Sequence, residues 1–150
     1  DPVLSRGALE AAARAWGDVP ATALVLQTLP RDPARAHRRY AGPCPAPYFT
    51  REAMDWIVGR GIVSLVVDLP SLDRADDGGA LVAHRVYWGL PPGSSDAAAA
   101  QRPRALVTEL ACVPAGAVDG TYLLDLQVPA FAADAAPSRP VLYRVTEVPQ

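Results

Sequence analysis

Several residue types and motifs are scarce or absent in this 150-residue chain. It has no Lys and no Asn, so all 14 basic residues are Arg, while Ala occurs 28 times. We interpret this bias as the imprint of a GC-rich genome, so the abundance of Arg carries little functional information. The longest apolar stretch, near Ile62–Leu69, is far shorter than the roughly 20 residues that span a bilayer. The N-terminus also lacks the pattern of a signal peptide, so we expect no membrane segment.

Cysteine and histidine are too sparse for the common metal and catalytic motifs. Cys44 and Cys112 are far apart and form no C-x-x-C pattern, which excludes a zinc ribbon and a disulfide framework. With His37 and His84 as the only histidines, H-x-x-x-H and H-E-x-x-H motifs are absent. The G-x-S-x-G elbow, the P-loop and G-x-G-x-x-G are absent too. We expect two reduced cysteines and a cytoplasmic protein.

The composition that remains is that of a globular domain. Half of the residues are hydrophobic and a fifth are charged, which excludes a disordered chain. The formal net charge of −2 gives no reason to expect nucleic-acid binding. Four arginines and His37 lie in the stretch Arg31–Arg39, which we interpret as a solvated loop because no aromatic residues intersperse it for base stacking. The length fits one domain over residues 1–150. Because the chain begins at Asp1 and not at Met, we expect that domain to be N-terminally incomplete.

Apolar runs and breakers along the chain predict an α/β fold with a mixed β-sheet and packed helices. Thr50 has the character of a helix N-cap, and Gly61 that of a helix stop, so a helix over Arg51–Gly59 is followed at once by a buried strand. The later strands arrive without helices between them, which indicates antiparallel or mixed pairing. The predicted helices are Leu9–Trp16, Arg51–Gly59 and Ala80–Trp88, and the predicted strands are Ala21–Leu29, Ile62–Leu69, Ala105–Ala111, Thr121–Val128 and Val141–Val145. The stretch Gly89–Arg104 is predicted to be a loop.

Three carboxylates stand at positions that could carry chemistry. Asp68 and Asp73 follow a buried strand, where α/β proteins place ligands, although the D-L-P-S-L-D sequence is also a turn-forming one and the turn is the favoured interpretation. Glu109 lies within an apolar strand, where an unpaired carboxylate costs several kcal/mol to bury. It therefore needs an Arg, a hydrogen-bond network or a metal ion, or it lies at the end of the strand.

Taken together, five stretches resemble the cyclase family, a group of metal-dependent hydrolases that includes bacterial kynurenine formamidase. The resemblance covers about Ala21 to the end of the chain and rests on the order and spacing of the motifs. The matching stretches are Tyr48–Thr50 with the helix to Ile62, Val66–Asp73, Ala83–His84, Val107–Leu110 and Ala136–Pro140.

The resemblance implies a metal site and a fold. His84 and Glu109 match the family's later pair of ligands, and their nitrogen and oxygen atoms suit zinc or manganese. The family's other ligands come from an H-x-G-T-H-x-D motif, which this chain lacks. The implied fold is a swivelling β/β/α arrangement. The implied assembly is a homodimer, or a complex with a chain that supplies the missing ligands.

Two functions follow as hypotheses. The first is a metal-dependent hydrolase of the arylformamidase type, which cleaves an amide or formamide bond of a small molecule with metal-activated water. The second is a non-catalytic binding or assembly module derived from the same family, because the N-terminal ligands are missing.

Overall fold

Strands and helices alternate along the first of two structural units in this computed structural model. The structure describes residues 2–15, 17, 19–31, 34, 37–40 and 46–145. The units are Asp1–Ala115 and Gly116–Gln150. In chain order the first contains β1 (Val3–Leu4), α1 (Arg6–Ala13), β2 (Ala23–Leu26), β3 (Tyr48–Phe49), α2 (Arg51–Gly59), β4 (Ser64–Val67), α3 (Val82–Trp88) and β5 (Leu106–Thr108). A 3₁₀ turn at Ala97–Ala99 lies between α3 and β5.

Helix α2 and strand β4 form where the local sequence predicts them. The Thr50 side chain accepts a hydrogen bond from the Ala53 N–H, which satisfies one of the free donors at the start of the helix. The helix ends at Gly59, and Gly61 follows with φ +76°, a conformation that glycine adopts without steric cost. Strand β4 then begins at Ser64, so the predicted helix–glycine–strand unit is confirmed.

The central sheet of this unit is parallel and has the order β2-β4-β5. Leu65 and Val67 of β4 are fully buried and join a core made mainly by the helices and the segment after β4. The core contains Leu9, Phe49, Ala53, Met54, Ile57, Ile62, Leu65, Val67, Leu69, Leu72, Ala83, Tyr87 and Ala105. A second, two-stranded parallel sheet joins β1 to β3.

The second unit contains an antiparallel pair, β6 (Tyr122–Gln127) and β7 (Arg139–Arg144). Burial alternates along β6, with Leu124 and Leu126 half-buried and Leu123 exposed. The antiparallel pairing is one of the two arrangements expected for the later strands.

The predicted α/β class with both strand orientations is confirmed, while several boundaries differ from the predicted ones. Helix α1 begins at Arg6, because Ser5 caps it by accepting from the Ala8 N–H. Strands β2 and β5 are shorter than predicted, and β1 and β3 were not predicted.

The predicted single domain over residues 1–150 stays a prediction. The residues of the sequence analysis that lie outside the described ranges include Cys44, Trp16 and part of Arg31–Arg39. His37 is described and is exposed. Within the described ranges, the helices are too short to cross a bilayer.

Candidate functional site

Asp68, Asp73 and Glu109, the three carboxylates identified from the sequence, follow the carboxyl ends of two neighbouring strands. Strand β4 ends at Val67 and is followed by Asp68 and the turn that contains Asp73, while β5 ends at Thr108 and is followed by Glu109. Because β4 and β5 are parallel partners, both ends lie at the same edge of the sheet. Ligands of open α/β sheets bind at this edge.

Asp68 connects the ends of two strands. Its side chain is 4% exposed and accepts hydrogen bonds from the Thr28 backbone N–H, at 3.1 Å to each oxygen, and from the Thr28 hydroxyl at 3.2 Å. Thr28 lies just after β2, the neighbour of β4. Asp68 therefore has a role in joining β2 to β4.

Glu109 lies just beyond the end of β5, outside the strand predicted over Ala105–Ala111 and in agreement with the alternative that it lies at the end of the strand. Leu110, the next residue, has φ +55°, and this left-handed conformation is incompatible with a continuing strand. The Glu109 side chain is 28% exposed, and its Oε1 accepts the Leu72 backbone N–H at 2.8 Å. The carboxylate is thus held against the turn that follows β4.

Asp73 lies in that turn and binds the start of helix α3. The residue before the helix, Leu81, has φ +46° and provides no side-chain cap. The Asp73 carboxylate takes the place of the cap, because Oδ1 accepts the Ala83 N–H at 2.6 Å and Oδ2 accepts the His84 N–H at 3.2 Å. A side chain ten residues upstream therefore satisfies donors that a local cap would normally bind.

The His84 ring lies between two carboxylates. Nδ1 is 2.6 Å from Asp73 Oδ2, and Nε2 is 3.2 Å from Glu109 Oε1. The Trp88 ring, one helical turn further along α3, packs against the imidazole with a centroid separation of 5.2 Å. The structure thus brings His84 and Glu109 together, as the resemblance implied, and adds Asp73 on the opposite side of the ring.

Electrostatics in this cluster favour the charged imidazole and the charged Asp73. Burial lowers the pKa of His84, but the hydrogen bonds to Asp73 and Glu109 outweigh it and raise the pKa from 6.5 to about 9. Burial raises the pKa of Asp73, but the hydrogen bonds from the His84 ring and the Ala83 and His84 N–H groups outweigh it and lower the pKa. In the metal-free protein the cluster is therefore an imidazolium between two carboxylates at neutral pH.

The same atoms fit two positions around a divalent cation. Two ligands bound to zinc at about 2.1 Å and a tetrahedral angle lie about 3.4 Å apart, close to the 3.2 Å between His84 Nε2 and Glu109 Oε1. Asp73 cannot join them, because it contacts the opposite nitrogen of the ring. Across the described ranges, no group of three or more His, Cys, Asp or Glu side chains is placed to hold a metal ion. The pair fits part of a coordination sphere.

The contact of Asp73 with His84 was not found from the sequence. The D-L-P-S-L-D pattern identified Asp73 as a turn residue, but Asp73 and His84 do not share a helix or strand, so no periodicity of the sequence relates them. The unusual left-handed conformation of Leu81, which sequence does not signal, directs the start of α3 toward the turn.

Comparison with known families covers the first half of the chain. Residues 1–74 match the Cyclase family model, described as "Putative cyclase". The match includes Asp68 and Asp73, begins earlier than the resemblance noted from Ala21, and ends before His84 and Glu109. No curated protein matches the chain, and the kynurenine formamidase-like subtype stays a prediction. The match over residues 1–74, just under half of the chain, supports membership of the cyclase family.

Proposed function

We propose that this chain contributes to a metal-dependent hydrolase that cleaves the carbon–nitrogen bond of a small amide or formamide. One observation carries the proposal: His84 Nε2 and Glu109 Oε1 converge at 3.2 Å at the carboxyl edge of a parallel sheet. The match to the cyclase family supports it at the level of the family.

His84 and Glu109 would hold the cation, zinc or manganese. The chemistry that such a cation supplies when bound is polarisation of a carbonyl group and activation of water. Glu109 contributes a carboxylate held by the Leu72 N–H, so its position is defined before the cation arrives. The Trp88 ring packs against the imidazole and restricts its rotation.

The proton-transfer group of the reaction must come from other residues. With Nδ1 bound to Asp73 and Nε2 facing the cation, His84 has no nitrogen left to accept a proton. The proposal also requires further metal ligands, since zinc in catalytic sites usually has three protein ligands. We propose that an H-x-G-T-H-x-D segment, from the same polypeptide or from a second chain in a homodimer or a hetero-complex, supplies both.

A specific observation also favours the second candidate, a non-catalytic module of the same family. Asp73, His84 and Glu109 satisfy one another without a metal ion, and in the described part of the chain no third ligand accompanies the pair. A cluster of this kind also serves as a purely structural link between α3, β5 and the turn after β4.

Metal binding and hydrolysis by the full-length gene product separate the two candidates. We expect zinc or manganese to bind with measurable affinity in equilibrium dialysis, and N-formylated aromatic amines to be hydrolysed. His84→Gln and Glu109→Gln should each reduce both by 10-fold or more, on the order of the loss seen when a metal site is weakened. His37→Gln is the matched control, because this exposed histidine should leave both unchanged. Absence of metal binding, or hydrolysis that is insensitive to His84→Gln and Glu109→Gln, would favour the module.

A further inference from the structure

The Asp73 side chain binds both the backbone and the ring of His84, in addition to its place in the turn after β4. The carboxylate is 7% exposed and accepts three N–H groups, two from the helix backbone and one from the imidazole ring. The backbone N–H and the ring of His84 bind the same oxygen, Oδ2. The ring therefore cannot turn away from Asp73 without losing a contact to an oxygen that also anchors the helix.

The two nitrogens of His84 differ in how tightly they are held. Nδ1 lies 2.6 Å from an oxygen of a buried carboxylate, while Nε2 lies 3.2 Å from an oxygen of the more exposed Glu109. A short hydrogen bond to an ionised, buried acceptor is the stronger of the two. When the ring carries a single proton, that proton therefore stays on Nδ1 and leaves the Nε2 lone pair directed toward Glu109.

We infer that Asp73 is the positioning residue of this site and fixes the neutral His84 ring in the Nδ1–H tautomer, which leaves the Nε2 lone pair facing Glu109 and available to an electrophile bound between them. The inference rests on the proposed function for the identity of that electrophile, a divalent cation. The tautomer itself is a property of the metal-free protein once the ring has lost one of its two protons. Carboxylate partners of this kind orient metal-binding histidines and increase their basicity.

Substitution of Asp73 by Asn is a directed perturbation of the tautomer. Both carboxylate oxygens accept backbone N–H groups, but the bond from Ala83 to Oδ1, at 2.6 Å, is shorter than the bond from His84 to Oδ2, at 3.2 Å. The amide oxygen therefore stays on the Ala83 side, and the His84 backbone N–H loses its acceptor. The amide NH₂ then faces Nδ1 and donates to it, which moves the ring proton to Nε2. Asp68→Asn is the matched control, because Asp68 is also a buried carboxylate at the end of β4 but binds Thr28.

Long-range ¹H–¹⁵N correlation spectra of the imidazole rings test the inference. With only two histidines in the chain, a His37→Gln background leaves one ring to observe. At a pH of about 10.5, where a ring with a pKa near 9 is mostly neutral, we expect the Nδ1–H pattern in this background and with Asp68→Asn. Asp73→Asn should show the Nε2–H pattern. An Nε2–H ring in the otherwise native background overturns the inference without any Asp73 variant, and an Nδ1–H ring in a folded Asp73→Asn protein also overturns it.

Zinc affinity, measured by equilibrium dialysis on the full-length protein, gives the second readout. We expect Asp73→Asn to weaken zinc binding by about 10- to 100-fold and Asp68→Asn to leave it unchanged. Equal affinity for the native protein and Asp73→Asn would contradict a positioning role. Failure of the native protein to bind either zinc or manganese would reject the proposed function, while the tautomer measurement would still decide the role of Asp73.

Discussion

The His84 cluster makes the stability of the metal-free protein depend on pH in a defined window. The folded protein holds the imidazole proton with a pKa of about 9, against 6.5 for an unperturbed ring. Because the folded state binds this proton more tightly than the unfolded chain, its contribution to stability is fully present below pH 6.5. The contribution is lost as the pH rises through about 9.

The size of the effect follows from the shift. A difference of about 2.5 pKa units corresponds to about 3 kcal/mol of folding free energy, lost at up to about 1.4 kcal/mol per pH unit within the window. The conversion applies because the His84 side chain is only 14% exposed. The pKa of Asp73 is lowered, so the ring is the group of this pair that changes protonation in the window.

Urea unfolding at a series of pH values, with a chelator present, measures the effect. We expect the free energy of unfolding of the native chain to fall between about pH 6.5 and 9.5 by about 3 kcal/mol more than that of His84→Gln. His37→Gln should follow the native curve, because His37 is exposed and lies outside the cluster. Parallel curves for the native chain and His84→Gln would show that the ring is not held as an imidazolium between Asp73 and Glu109.

Three further predictions concern stability and are tested by chemical denaturation. Arg102→Ala should lower the free energy of unfolding by about 3 kcal/mol, because the guanidinium donates to the Tyr87 and Ile62 carbonyls and lies 4.7 Å from the Tyr87 ring centroid. The same substitution at the exposed Arg104 should have little effect. A loss under about 1 kcal/mol for Arg102→Ala contradicts this prediction. The Leu110→Gly protein should be more stable than the Leu110→Ala protein by about 1 kcal/mol. Both substitutions remove an exposed side chain, but only glycine adopts the positive φ without steric cost. The reverse order of stability would show that the backbone at Leu110 is not strained. Thr50→Ala should cost about 1 kcal/mol and Thr50→Ser much less, and equal losses would exclude the cap.

The parts of the fold that the sequence predicts correctly are those determined by nearby residues. Helix α2 was predicted to the residue because Thr50 and Gly61 mark its two ends chemically. Strand β4 was found because a run of apolar residues with little alternation is typical of a strand buried on both faces. Strands β1 and β3 have only two residues each and exist through pairing between Val3 and Tyr48, which are far apart in the chain. No local periodicity indicates such strands.

The same limit to local patterns explains why only two of the three residues of the candidate site were paired from the sequence. His84 and Glu109 were identified through resemblance of motifs, and the structure places them together. The functions of Asp73 and the end of β5 depend on two leucines, Leu81 and Leu110, in left-handed conformations that sequence patterns assign to glycine or asparagine. These backbone reversals occur next to the site, as is common where a structure holds strain near functional groups.

The long Gly89–Arg104 loop does not disturb the pairing of His84 with Glu109, because the loop and the pair lie at opposite edges of the sheet. The chain runs from β4 through α3 to the parallel strand β5, so the start of α3 lies beside the carboxyl ends of both strands. The length of the loop from the end of α3 to β5 does not alter this arrangement. The loop follows the other end of α3.

Contacts at that far edge hold the C-terminal end of α3. The Tyr87 hydroxyl donates to the Leu106 carbonyl, and the Trp88 indole N–H donates to the Ala105 carbonyl. Arg102 bonds to the carbonyl of Ile62, which precedes β4. These bonds fix α3 to the start of β5 at one edge, while Asp73 fixes it to the end of β4 at the other. Tyr87, Trp88 and Asp73 lie outside the loop, so insertions within it leave their bonds in place. The geometry of the His84–Glu109 pair therefore depends on the sheet and the turn after β4 rather than on the spacing of the two residues in sequence.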